Sequence, residues 1–391
     1  MSFSSFIHQP NGRFLLPLIV LHYFWIAAAA HGGEKWNIHI LASKNSSLRA
    51  DPSQVEIEIK NSCQLTALLE KRSDNGRFYY SDIPGEAALD GRMINIKKWD
   101  EELDLTIRWV KIEPYMRHPS KGNDPTVPSY LWYTNAYTPR SPKASEGWID
   151  FDKIRYKSTY LPEYRDRWRI PADAHPTDRR YDLHGGLGLM RYGVEASVSG
   201  STIRSKDESV VNYLGISNDV MKLAVRADNT FCGYVTSFFN VPGLFGSHEK
   251  QVENYIGVDC ADMLIGAYRK WANSDFAFTG VNGLIEQMNA VGPVHYLTER
   301  GTIYVDKEKQ VPCRTEFQKG DLVTFDYPGT VAGWYDHIGV LYIEDGDGVI
   351  SGGDMMIHCG PAEPRVEPLE TQAPSNERLT RIRIFRWKST L

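Results

Sequence analysis

Gly257-Val258-Asp259-Cys260-Ala261-Asp262-Met263-Leu264-Ile265-Gly266-Ala267-Tyr268-Arg269-Lys270-Trp271-Ala272 is a run in which periodicity and chemistry point the same way. Leu264, Ala267, Tyr268 and Trp271 recur at spacings of three and four, which predicts a helix over Cys260 to Ala272 with one apolar face. The cysteine stands at its start. There the free backbone N–H groups and the positive end of the helix dipole favour a thiolate. The same N–H groups are placed to hold an oxyanion, so one position offers a nucleophile and part of its transition-state stabilisation.

Beyond the helix, Leu322-Val323-Thr324-Phe325, Ile338-Gly339-Val340-Leu341-Tyr342 and Met355-Met356-Ile357-His358 read as successive strands joined by Gly- and Asp-rich turns. His337 stands at the start of the second and His358 at the end of the third. Their separation suits two adjacent strands and a turn, so the imidazoles can be neighbours. Before the helix, Phe231 to Phe239 reads as a short helix ending ahead of Asn240-Val241-Pro242-Gly243, because Pro242 disfavours helix in the residue before it. A few helices followed by a small antiparallel sheet is the pattern expected here.

Four motifs follow one another in order: Gly257-Val258-Asp259-Cys260-Ala261-Asp262-Met263-Leu264, Lys319-Gly320-Asp321-Leu322-Val323, Asp336-His337-Ile338-Gly339-Val340 and Met356-Ile357-His358. In this order they resemble the NlpC-type, papain-like family of cell-wall cysteine peptidases, over about residues 229–360. The resemblance implies Cys260 as nucleophile, His337 as base and His358 as the group that orients the base. It also implies an α+β, papain-like catalytic domain over 229–391, N-terminal helices packed on a small antiparallel sheet, with no metal and no other cofactor. The substrate it implies is peptidoglycan, cleaved at amide bonds of the stem peptides, or another amide-containing polymer. An acyl or amide transferase using the same nucleophile, and a catalytically idle protein that binds cell wall or a partner, stay open as alternatives. The chain departs from the family at Ala261-Asp262, where Ser-Gly is usual, and at Gly243, where a Tyr is common. Both departures bear on substrate contacts.

Two other readings of these residues are weaker on physical grounds. Asp336 as the orienting acid conflicts with strand geometry, since neighbours on a strand point to opposite faces. A zinc site from His337, Asp354, His358 and Cys359 lacks the paired spacings such sites show.

The amino-terminal part has a different texture. Asn37-Ile38-His39-Ile40-Leu41, Val55-Glu56-Ile57-Glu58-Ile59, Met93-Ile94-Asn95-Ile96 and Leu103-Asp104-Leu105-Thr106-Ile107 largely alternate, with Asp74-Asn75-Gly76 among the turn residues between them. They predict a small all-β domain, a sandwich or barrel, over 36–118 that precedes the catalytic domain. Residues 119–228 are expected as a junction and middle region without an assigned role, in which Tyr130-Leu131-Trp132-Tyr133 reads as a strand. At the start of the chain, residues 1–30 have the composition of a cleaved signal peptide: an apolar run from Phe14 to Ile26, then Ala28-Ala29-Ala30. That implies a secreted or periplasmic protein with no membrane association beyond the signal peptide. Cys63, Cys232, Cys260, Cys313 and Cys359 make an odd number, which in an exported protein calls for one free thiol; the other four could form up to two disulfides or all be reduced. A net charge of -5 over 391 residues and an isoelectric point of about 6.1 leave no basic footprint for a nucleic-acid partner.

Overall fold

The computed structural model describes residues 34–44, 54–100, 104–114, 132–134, 149–150, 154–212, 214–306, 308, 311–312, 317–331, 333–343, 349–374 and 378–388. The expected signal peptide, as well as Cys313, Tyr130 and Leu131, lies outside these residues.

Two six-stranded sheets build the amino-terminal half. The first has the strand order Lys35–Lys44, Cys63–Ser73, Gly76–Ser81, Arg92–Lys98, Gly85–Leu89, with Arg169–Ala172 also paired to Cys63–Ser73. The second runs Tyr156–Tyr160, Leu105–Pro114, Gly188–Val198, Met221–Arg226, Gln54–Glu58, with Ser201–Arg204 on its long central strand. Alternation puts Ile38, Ile40, Leu65 and Leu69 of the first sheet against Trp109, Tyr192 and Leu223 of the second in one buried cluster. Trp109 is fully buried, and its indole N–H donates to the Arg167 carbonyl at 2.7 Å, which satisfies its one polar atom. Pairing crosses the expected boundary at residue 118: Leu105–Pro114 lies between Tyr156–Tyr160 and Gly188–Val198. The stretch expected as a junction thus supplies much of the sandwich.

The carboxy-terminal half has one eight-stranded sheet, in the order Val311–Pro312, Ile303–Asp306, Met288–Leu297, Thr380–Trp387, Leu322–Asp326, His337–Ile343, Met355–His358, Arg365–Pro368. One face carries Leu322, Ile338, Val340 and Ile357 toward the helices; the other buries Val323, Phe325, Leu341, Met356, Ile382 and Ile384. The helices are α1 (Phe231–Thr236), α2 (Glu249–Glu253), α3 (Cys260–Ala272) and α4 (Val281–Ile285).

These features correct the expected fold class. The chain is mostly β, with several sheets including a half-barrel, and is not a helix-packed α+β papain-like domain. The expectation rested on three strands after the cysteine helix; these stay adjacent, but Thr380–Trp387, Met288–Leu297, Ile303–Asp306 and Val311–Pro312 are added on one side and Arg365–Pro368 on the other, which extends the sheet to eight. The helical share is small because α1, α2 and α4 have only 6, 5 and 5 residues, leaving α3 with 13. Among the described residues no helix is long and apolar enough to cross a membrane.

α3 forms where its periodicity predicts, and its ends explain its length. The Asp259 side chain caps its first turn by accepting the Asp262 N–H at 3.0 Å, a contact worth about 1 kcal/mol. Asn273 ends it in a left-handed conformation, φ 49°. Gly266 lets it approach its neighbours, since a Cβ there would meet Val252 Cγ1 at 2.7 Å. On the far side of the same cluster stand Leu189 and Ala224 from the second sheet, so that sheet is buried on both faces.

Candidate active site

The register of the eight-stranded sheet brings the two histidines together. His337 opens one strand and His358 closes the next, with Gly339 directly opposite His358. A Cβ on Gly339 would meet Met356 Sδ at 3.0 Å, the Ile357 carbonyl oxygen at 3.1 Å and His358 Cβ at 3.2 Å, so glycine makes room for the second imidazole. Nε2 of His337 then lies 2.9 Å from Nδ1 of His358, and Nε2 of His358 lies 2.9 Å from Oε2 of Glu367. Glu367 sits on the Arg365–Pro368 strand, diagonal to His358, and its Oε1 lies 2.8 Å from Arg365 Nε.

Cys260 is the first residue of α3, and the helix packs against the His337–Ile343 strand. The backbone N–H groups of Ile338 and Ala261 lie near its sulfur and favour the thiolate. The thiol therefore reaches the strand at the amide next to His337. Ile338 points to the helix face while His337 shares the opposite face with Phe325, whose ring centroid is 5.9 Å away. No Cys260–His337 hydrogen bond is present among the described residues. His337 Nδ1 is left without a hydrogen-bond partner among these residues.

Electrostatics favour the neutral form of each reacting group. Burial pushes the Cys260 thiol well above the ordinary cysteine range, and the Asp259 and Asp262 carboxyls push the same way, against the Ile338 and Ala261 N–H groups that lower it. Burial also drives His337 well below the usual histidine value, with His358 and Arg365 adding to the effect. His358 is lowered too: burial outweighs the opposing hydrogen bond and charge of Glu367. For Glu367 the balance reverses, since its bond to His358 and the charge of Arg365 overcome burial and hold it below the usual carboxylate range. The resting pair is a thiol and a neutral imidazole.

Asp262 is buried beside the nucleophile and accepts a hydrogen bond from the Ser247 hydroxyl. Burial, and then the nearby Asp259, raise its pKa, so it holds a proton where an exposed Asp would not. Asp259 accepts from the Asp262 amide, and burial raises its pKa against the backbone N–H groups near it. Gly243 lies in the strand Gly243–Phe245 and bridges Val258, two residues before the nucleophile, with no side chain to place there.

The neighbouring groups are structural. Asp336 accepts from the Tyr327 N–H and the Thr330 hydroxyl, both at 2.9 Å, and so organises the turn before His337. Cys359 donates to the Val258 carbonyl at 3.1 Å and to that of Ala362 at 3.3 Å. Cys63, Cys232, Cys260 and Cys359 are all free thiols. In the Lys319-Gly320-Asp321 motif the buried Asp321 accepts Arg386 Nε and Nη2, each at 2.6 Å, which clamps two adjacent strands.

The sequence points to Cys260, His337 and His358 but not to Glu367. Its signal is faint, because a Glu in Arg365-Val366-Glu367-Pro368 acquires meaning only once the strand pairing is known. Comparisons with protein-family models, curated proteins and solved structures find no match to this chain.

Proposed function

We propose that the chain is a cysteine hydrolase that cleaves amide bonds through a thioester at Cys260. The observation that carries this reading is the thiol at the start of α3, close to the Ile338 amide that follows His337, whose imidazole is in turn held by His358. In the proposed reaction His337 Nδ1 takes the thiol proton as sulfur attacks the carbonyl carbon. The resulting oxyanion is placed at the helix N-terminus, where backbone N–H groups and the positive end of the dipole favour negative charge. His337 returns the proton to the leaving amine, then accepts one from the water that hydrolyses the thioester.

Peptidoglycan stem peptides are the proposed substrate, and secretion or periplasmic export the proposed setting. The order of motifs through Cys260, His337 and His358 supports both choices, as does the composition of residues 1–30. A dormant site that binds wall or partner is the second reading. The raised thiol pKa and the absence of a Cys260–His337 hydrogen bond favour it.

The test is incubation of the purified protein and its Cys260→Ala variant with peptidoglycan and defined stem peptides, followed by mass spectrometry. Fragments from the wild type alone support the hydrolase and name the bond. Identical product spectra for both proteins would leave the dormant reading.

A further inference from the structure

We propose that Glu367 is a positioning residue that sets the tautomers of both His358 and His337, an inference that rests on the thiol-hydrolase reading of the same site. The chain of contacts from Glu367 Oε2 to His358 Nε2, and from His358 Nδ1 to His337 Nε2, consists of two bonds of 2.9 Å. An ionised carboxylate only accepts hydrogen bonds, so His358 must donate from Nε2. A neutral His358 then has a lone pair on Nδ1, and His337 must donate to it from Nε2. A neutral His337 is left with its lone pair on Nδ1, the atom that takes the thiol proton. One carboxylate thus dictates a proton pattern two residues away.

The same chain handles the charge created in the reaction. When the proton passes from Cys260 Sγ to His337 Nδ1, the imidazolium can hand its Nε2 proton to His358 Nδ1. Positive charge then rests against Glu367, with no proton lost from the chain. Glu367 touches neither substrate nor thiol in this scheme; it acts through His358.

A structural role, in which Glu367 merely pairs with Arg365 across 2.8 Å, makes a different prediction. Glu367→Gln keeps the size of the side chain, but the amide can donate as well as accept, and donation to His358 Nε2 reverses every proton in the chain. The experiment is two-bond 1H–15N NMR of the imidazoles in the full chain at pH 7, alongside kinetics on a stem peptide. In wild type both histidines are expected to carry the proton on Nε2. In Glu367→Gln a population of His337 with Nδ1 protonated is expected, with kcat reduced roughly 10- to 100-fold, as for lost orienting carboxylates at metal sites, and KM nearly unchanged. Glu367→Asp should keep the wild-type tautomers. Unchanged tautomers in Glu367→Gln overturn the proposal, as does Nδ1 protonation of His337 in wild type, which needs no variant to fold. Because the spectra do not depend on turnover, a wild type without hydrolase activity would reject the proposed function and still decide this inference.

Discussion

His337 Nε2 meets His358 Nδ1 at 2.9 Å with the rings edge to face, although 21 residues separate the two in sequence. The bond commits Nε2 of the base and leaves Nδ1 as the nitrogen that would take the thiol proton in the proposed reaction. Removing the second ring frees the first to rotate and leaves its N–H without an acceptor. His358→Ala is therefore expected to lower kcat on stem peptides on the order of 100-fold or more while leaving the far-UV circular dichroism spectrum unchanged. Wild-type turnover in the variant would contradict this.

Cys260 itself should be sluggish toward simple alkylating agents. Its pKa is raised by burial and by Asp259 and Asp262, so little thiolate is present at pH 7. Iodoacetamide labelling followed by mass spectrometry should be slower than for free cysteine at pH 7 and should still be accelerating above pH 9. Faster labelling than free cysteine at pH 7 would indicate a thiolate–imidazolium pair instead.

Gly339→Ala probes the space in front of His358. The added methyl would lie 3.0 to 3.2 Å from Met356 Sδ, the Ile357 carbonyl and His358 Cβ, so the strand pair must spread. A stability loss of about 1–3 kcal/mol is expected in urea unfolding, together with reduced activity. The wild-type unfolding midpoint in this variant would show that the pair has slack.

Asp262 gives a pH dependence whose sign can be stated. Its folded-state pKa is raised, so its contribution is fully present below the unfolded carboxylate pKa and is lost as pH rises through the higher folded value. Stability from this group therefore declines from about pH 4 into the neutral and mildly alkaline range. Asp262→Asn keeps an acceptor for Ser247 without the ionisation. It should unfold about 1–3 kcal/mol less readily than wild type at pH 8, with the difference shrinking toward pH 4. Equal pH profiles for the two proteins would rule this out.

How much of this could be read beforehand differs by element. α3 was legible because Leu264, Ala267, Tyr268 and Trp271 recur at helical spacing, whereas its caps, Asp259 and Asn273, emerge only from the structure. The strands bearing His337 and His358 were legible from short β-rich runs between turns. The architecture was not, because it depends on partners far apart in sequence: Leu105–Pro114 with Gly188–Val198, and Met288–Leu297 with Thr380–Trp387. Period-two patterning tells which face of a strand is buried but not which strand lies beside it. Glu367 was hidden for the same reason, since only the register across from Met356 and His358 reveals what it touches.

The second sheet, covered on one face by the first sheet and on the other by residues of the helical cluster, ties the two halves to a common fate. Glu56 from its edge binds the Tyr255 hydroxyl at 2.8 Å and the Lys270 ammonium, while Arg191 at its centre donates to the Tyr255 carbonyl at 2.7 Å. Severing the chain near Asn229 would strip this lining from α3 and strand buried charges on both fragments. Neither piece would inherit a finished interior, so a recombination event that exchanged one half for a foreign domain would have to bring a matching sheet with it.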